Sequence, residues 1–348
     1  MIIDCHSHIW PSRSCLGQAQ KFSCLAAACE NKSKTDRSFS ASESADATFI
    51  LGFVSRHLNA EIPNIYIKNQ LASQPHRLFG FAGIDPADND AADEIRRLHD
   101  EDGFVGFTLS PACQAFHPCD TRVLALYQVA QELSMPIYFL SGMALPQNAY
   151  LEFAQPDALD EIARDFPELK IVISHLGYPR VEQTIAMLAK HPNIFADVAG
   201  LTKRPLTAYR SLTLAYESGV IEKLLFGTDS PCYSLKDTVE ALYYLNKITL
   251  DSVLPVVPRE QLRSIIERDS LSLLGLKSNE STSVPGAEPT GVPETTQSTP
   301  ATYSAESDVP ADPAEHPESV DSTEASFADD DSDVDPDDCA KKTKGETR

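Results

Sequence analysis

Eight short apolar runs recur along the first 277 residues. They are Ile2–Cys5, Ala47–Val54, Leu78–Ile84, Phe104–Leu109, Pro136–Leu140, Lys170–Ser174, Ile194–Val198 and Lys223–Gly227. Most are continuous rather than alternating, the pattern of parallel strands covered on both faces. Between them the apolar spacing changes to that of helices. Thr121–Leu133 puts Val123, Leu126, Tyr127, Ala130 and Leu133 on one stripe, and Ala158–Phe166 and Val181–Lys190 repeat the pattern. Leu206–Ser218 stops at Gly219, which suits a left-handed helix end. Asp237 opens the next helix with Glu240 three positions on, and a last helix is expected over Arg259–Leu274. Eight strands alternating with helices predict an α/β fold, a (β/α)8 TIM barrel. A doubly wound open sheet is the competing architecture, but no Gly-x-Gly-x-x-Gly follows the first strand. The long polar stretch between Ile9 and Asp46, with three cysteines, reads as an elaborated first loop over the barrel mouth.

Composition divides the chain at Ser278. From there to Arg348 stand 18 acidic and four basic residues, a net charge of −14. The first 277 residues hold 33 acidic and 25 basic, a net charge of −8. The 278–348 segment is rich in Ser, Thr, Pro, Glu and Asp, and Tyr303 and Phe327 are its two aromatics. Such a sequence cannot bury enough apolar surface to offset its chain entropy, so it is expected to be a disordered acidic tail beside a 1–277 barrel domain. The acidic balance argues against nucleic acid as a partner. No apolar run approaches the ~20 residues of a membrane span. Residue 2 already enters a strand, so no signal peptide is expected and a cytoplasmic enzyme is the default. The eight cysteines form no Cys-x-x-Cys pair and suit reduced thiols.

The chemistry is expected at the carboxyl ends of the strands. The first ends in Asp4-Cys5-His6-Ser7-His8, where residues two apart share a face and would present His6 and His8 side by side. The second ends at Ser55-Arg56-His57, the sixth at His175 and the eighth at Asp229 in Gly227-Thr228-Asp229-Ser230-Pro231. Three imidazoles and a carboxylate converging on the axis would make a divalent-metal site, zinc first. Such an ion brings water's pKa toward neutrality, and Asp229 is a candidate to carry the proton. His175 is either a ligand or a group that polarises the substrate oxygen. Arg56 is the candidate clamp for a substrate carboxylate, with a surface salt bridge as its equal alternative. His57 and His117 read as loop histidines, and Trp10 and Phe116 as core. Cys5 is expected to point away from the two histidines as a small buried group. Neither a Gly-x-Ser-x-Gly elbow nor a phosphate-binding Gly-Lys-Ser/Thr loop occurs.

The chain resembles the amidohydrolase superfamily, in its amidohydrolase-2 branch of metal-dependent hydrolases and decarboxylases, the aminocarboxymuconate semialdehyde decarboxylase type among them. The resemblance lies in Asp4–His8, Gly106–Pro111 with Phe116-His117-Pro118, His175-Leu176-Gly177, Asn193–Asp197, Phe226–Pro231 and Glu267–Leu276. It implies one metal ion at the barrel's C-terminal face, with His6, His8 and Asp229 as ligands or near-ligands and His175 beside them as ligand or acid/base. Two positions depart from the family pattern. Leu140 stands where a strand-5 histidine ligand is usual, and Thr108 where a lysine often stands.

The resulting expectation is a metal-dependent hydrolase of a small carbonyl- or carboxylate-bearing substrate. The alternatives are a decarboxylase on the same site, or, because of Leu140, a metal-free lactonase or a silent barrel whose tail mediates binding. A homodimer is the assembly this reading allows for.

Overall fold

A computed structural model describes residues 1–21, 45–141, 145–250 and 252–277. All of them fall in one compact unit, Met1–Pro285. The proposed tail, Cys24 and Cys29, and most of the elaborated first loop lie outside the described residues.

All eight expected strands form. In chain order they are β1 (Ile3–Ser7), β2 (Ala47–Leu51), β5 (Leu78–Gly83), β6 (Gly106–Leu109), β7 (Ile137–Phe139), β8 (Ile171–Ile173), β9 (Ile194–Asp197) and β10 (Leu224–Leu225). Each pairs in parallel with the next in the order β1-β2-β5-β6-β7-β8-β9-β10. Three backbone bonds close the ring between first and last: Cys5 N–H to the Phe226 carbonyl (2.9 Å), Asp229 N–H to His6 (2.9 Å) and His8 N–H to Ser230 (2.8 Å). The chain is therefore a (β/α)8 barrel with its working ends on one face.

Between β2 and β5 lies a small hairpin that the apolar pattern hid. Val54–Ser55 (β3) pairs antiparallel with Ala60–Glu61 (β4), so the run Ala47–Val54 is two strands rather than one. Two helices complete the early βα units, Asn64–Ser73 and Ala91–Asp102. Other helices follow expectation within a residue or two: Thr121–Glu132, Val181–Lys190 and Pro205–Glu217. Two boundaries differ. The helix expected from Asp237 is Leu235–Tyr243, because Ser234 accepts the Asp237 N–H and caps it. The last helix breaks into Arg259–Ile266 and Ser270–Leu274, because the Asp269 carboxylate accepts from Ser272 N–H and starts a new turn.

Alternate residues of the strands fill the barrel. Ile3, Cys5, Phe49, Phe81, Tyr138, Val172, Phe195 and Leu225 pack together inside it, with Leu271 and Leu274 in the same cluster. The opposite faces of the same strands, among them Ile50, Phe107, Ile137, Ile171, Ile194 and Leu224, form the larger layer shared with the helices. Trp10 and Phe116 belong to this outer layer, as expected.

Candidate metal centre

The site begins with an irregularity in β1. Asp4 pairs with Thr48 but Ser7 with Ile50, so three steps on one strand oppose two on the other. Such a bulge breaks the simple alternation of faces. Cys5 packs inside the barrel as a small buried group, in regular alternation with Ile3. His6 also faces inward, its ring 5.8 Å from Tyr138 and perpendicular to it. The Asp4 carboxylate holds this turn to the last strand. It accepts from Ser7 Oγ (2.9 Å), Thr228 N–H (2.9 Å) and Thr228 Oγ1 (2.7 Å). Gly227 completes the fit, since a Cβ there would stand 2.8 Å from His6 Cβ.

His6, His175 and Asp229 meet inside this frame. Their ligating atoms lie within 4.8 Å of one another, and all three residues are buried. His6 Nε2 is 3.8 Å from Asp229 Oδ1, and the rings of His6 and His175 are 4.6 Å apart. His8 adjoins this trio through His6, the two Nε2 atoms lying 3.1 Å apart. Both His175 and Asp229 take left-handed backbone conformations (φ 53° and 64°) that non-glycine residues seldom adopt. For His175 the conformation is held by its N–H, which donates to Asp197 Oδ1 at 2.8 Å.

Hydrogen bonds fix which ring nitrogens are available. His8 Nδ1 faces the Leu51 carbonyl at 2.8 Å, and His175 Nδ1 faces the Ala199 carbonyl at 2.9 Å. A carbonyl only accepts, so both Nδ1 atoms carry hydrogen and both Nε2 atoms offer a lone pair to the site. His6 Nδ1 donates to Asp197 Oδ2 at 2.8 Å, and its Nε2 is turned to His8 and Asp229. Asp197 thus accepts four bonds, from His6, Tyr138 Oη (2.6 Å), His175 N–H and Ala199 N–H (2.9 Å).

The charges follow from this packing. Burial opposes a charge on His6, but Asp197, then Asp229 and Asp4, outweigh it and raise its pKa to about 9. Burial, then the neighbouring His6, lowers His8 to about 3. Burial, His6 and, further off, Arg204 bring His175 down to about 4. Burial opposes ionisation of Asp197, yet His6 and the bonds it accepts drive its pKa far below the usual range. The centre is built for one positive charge at His6 Nε2, which a proton or a metal ion can supply.

The donor set fits a divalent cation. It combines imidazole nitrogens and a carboxylate oxygen, suited to zinc or manganese. Asp197 behind His6 holds its ring as a carboxylate would hold a ligating imidazole. The sequence reading had given Asp197 and Tyr138 no role. Their only signal was the position of a polar group at the inward register of a strand end.

Two other sequence assignments look different in three dimensions. Arg56 is a surface ion-pair residue: its Nε and Nη2 reach both oxygens of Asp88 (3.0 and 2.9 Å), and Nη1 reaches Glu61 (2.9 Å). Its side chain is half exposed, and the clamp reading gives way to the salt-bridge alternative. Leu140 follows β7 and packs against the inner cluster on the same side as Tyr138. Ser141 turns to Ser174, its N–H donating to Ser174 Oγ at 2.8 Å. Thr108 is buried and donates to the Gly52 carbonyl at 2.7 Å.

A family model described as amidohydrolase matches residues 3–274. Among solved structures, the chain is similar to a TIM-barrel protein of Bordetella bronchiseptica, at 20% identity, covering 79% of this chain and 98% of that one, with a TM-score of 0.59. A dihydroxybenzoic acid decarboxylase of Polaromonas sp., with bound manganese and 2-nitroresorcinol, is 17% identical over 79% and 96% of the two chains (TM-score 0.56). A probable 2-pyrone-4,6-dicarboxylic acid hydrolase of Acinetobacter baumannii, with bound citric acid, is 16% identical over 79% and 99% (TM-score 0.55). No curated protein matches. At these identities the structural likenesses establish the fold. Among the described residues no helix is long and apolar enough to cross a membrane.

Proposed function

This chain belongs to the amidohydrolase family, and on that premise we propose that it is a metal-dependent hydrolase of a small carbonyl compound that carries a carboxylate. The observation that carries the reading is the convergence of His6, His175 and Asp229 within 4.8 Å, with His8 against His6. We assign the chemistry to residues 1–277. His6, His8, His175 and Asp229 would hold the ion. When bound, a zinc or manganese ion supplies a Lewis acid beside the substrate carbonyl and makes water acidic enough to ionise near neutral pH.

The chain's own groups do the rest. Asp229 takes a proton from water and returns it to the leaving group. His175, with its Nδ1 hydrogen held by the Ala199 carbonyl, presents the Nε2 lone pair to the ion. Asp197 holds the His6 ring in one tautomer, and Tyr138 Oη holds Asp197. The buried walls around Asp229 limit access of bulk water to the reacting atoms.

Decarboxylation is the second reading, favoured by the likeness to a dihydroxybenzoic acid decarboxylase. That reaction must deliver a proton to carbon. Asp229, the proton carrier in hydrolysis, is the group that would deliver it. Leu140 keeps two further alternatives open, a metal-free lactonase and a silent barrel.

The test is a screen of lactones, cyclic amides and aromatic acids with zinc- and manganese-loaded protein, product identified in each case. The reading expects a ring-opened acid, with turnover lost in Asp229→Asn. Carbon dioxide from an aromatic acid would establish the second reading in its place. Equal ring opening by metal-stripped protein would establish the metal-free one.

A further inference from the structure

One short segment carries much of the large apolar surface that the barrel leaves exposed. Between the 3-10 turn Leu245–Thr249 and the helix Arg259–Ile266 the chain reads Ser252-Val253-Leu254-Pro255-Val256-Val257-Pro258, with no charged residue. Val253 is wholly exposed (103%), Leu250 is 71% exposed, and Leu254 and Val256 are about half exposed. Tyr244 and Ile248 before it and Leu206 on the helix Pro205–Glu217 are exposed as well. The segment is nonetheless held in place. Tyr209 Oη donates to the Pro255 carbonyl at 2.6 Å. Asn246 grips Val257 twice, Nδ2 donating to its carbonyl at 2.7 Å and Oδ1 accepting its N–H at 3.2 Å. Pro255 and Pro258 restrict the backbone further. The apolar side chains are thus displayed to solvent on a fixed strap.

A groove of about 750 Å³ lies beside the strap. Leu254 and Pro255 form part of its wall, with Leu206 and Leu214 of the helix Pro205–Glu217. Strap and groove therefore adjoin on one surface. A two-fold contact needs that arrangement, because the strap of each copy can then enter the groove of the other. The area agrees. At ~150–200 Å² for a whole side chain, the seven exposed residues present roughly 700 Å² of apolar surface, close to the ~800 Å² that one partner brings to a standard interface. Charge narrows the choice of partner. A chain of net −22 repels its own copies except across a surface without net charge, and the strap is such a surface.

We propose that the strap Ser252–Pro258 and the groove beside it form a two-fold interface between two copies of this chain. Val253 of one copy enters the groove of the other against Leu206 and Leu214, and the same contact repeats across the axis. Pro255 has no N–H to donate, so the contact is a side chain in a groove and not the pairing of two strands. Because the strap is already fixed by Tyr209 and Asn246, little chain entropy is lost when it docks. The interface stands apart from the reaction assigned to His6, His175 and Asp229.

Sedimentation velocity of the full chain, at about 1 to 100 µM, tests it. Wild-type protein is expected at twice the chain mass over most of that range. Val253→Glu and Leu206→Lys each place a charge in the apolar contact and should weaken association about 30-fold or more, as the loss of a central anchor does. The double variant should recover much of that loss, because the two-fold contact sets the glutamate of each copy against the lysine of the other. Ile65→Glu, on the helix Asn64–Ser73 and equally exposed, should leave the dimer unchanged. Both substituted side chains are exposed, and near-ultraviolet circular dichroism checks that each variant is folded. A monomeric wild type overturns the proposal and leaves the face to a different partner. A dimer that survives Val253→Glu overturns it as well. Dissociation by Val253→Glu without any effect of Leu206→Lys would overturn the seating of the strap in the groove, as would a double variant no better than either single one.

Discussion

Tyr138 Oη donates to Asp197 Oδ2 at 2.6 Å inside the barrel, and that same oxygen receives His6 Nδ1 at 2.8 Å. One carboxylate oxygen thereby couples the inner face of β7 to the first strand's histidine. Fully buried acceptors of this kind are costly to leave unmatched. Tyr138→Phe is expected to remove one donor, lower stability by about 1–2 kcal/mol and leave the fold intact. Chemical denaturation monitored by circular dichroism measures it, and an unchanged midpoint would mean that the hydroxyl contributes nothing.

Asp197→Asn strikes harder. It removes the charge that balances His6, and both side chains are wholly buried. Breaking one partner of such a pair costs about 3–5 kcal/mol. Loss of the carboxylate behind a ligating imidazole should also weaken metal binding by about 10–100-fold. Zinc affinity by competition with a chromogenic chelator decides the second point. Equal affinity in mutant and wild type would remove Asp197 from the metal centre.

Metal uptake should release a proton near neutral pH. His6 holds its proton up to about pH 9 through Asp197 and its neighbours, whereas a ligating imidazole must be unprotonated at the ligating nitrogen. Raising pH toward 9 therefore removes the competitor and tightens binding. Calorimetric titration with zinc in buffers of different ionisation enthalpy counts the protons. About one per ion is expected at pH 7 and fewer above pH 9. A count of zero at pH 7 would contradict the assignment of charge to His6.

Acid stability has a separate source. Asp160 Oδ1 pairs with Lys190 Nζ (2.5 Å) and His191 Nε2 (2.6 Å), and the Lys190 and His191 bonds bring its pKa down to about 2. A depressed carboxylate stabilises the fold above its unfolded pKa of about 4, and that contribution disappears as pH falls through about 2. The stability gap between wild type and Asp160→Asn should thus be full at pH 6 and close between pH 4 and 2. Urea denaturation at three pH values measures the gap, and a gap independent of pH would rule out the ion pair.

The eight strands were legible because parallel strands buried on both faces need continuous apolar sequence. His6, His175 and Asp229 were legible because polar groups that end apolar strands stand out. What escaped was geometry set by exceptions. The bulge in β1 turned His6 inward beside Cys5, against simple alternation. The bond from Tyr138 to Asp197 spans 59 positions, and nothing local to either residue announces it. Arg56 meets Glu61 across the hairpin β3–β4 and Asp88 beyond it, and the hairpin was hidden in what read as a single strand.

Leu140 offers a gain-of-function check. It borders the inner cluster at the end of β7, two residues past Tyr138. Leu140→His should add an imidazole on the site's side of the barrel and tighten zinc binding at least about tenfold, as one further ligand would. Unchanged affinity would show that this position does not face the ion.

The central claim is that His6, with His8, His175 and Asp229, holds one divalent ion. Elemental analysis of the purified full chain tests it most directly, in wild type and His6→Ala side by side. The account predicts about one zinc or manganese per wild-type chain and near none in the folded mutant. Wild-type protein that takes up no divalent metal even when dialysed against zinc and manganese, or a His6→Ala protein that keeps its full complement, would contradict it.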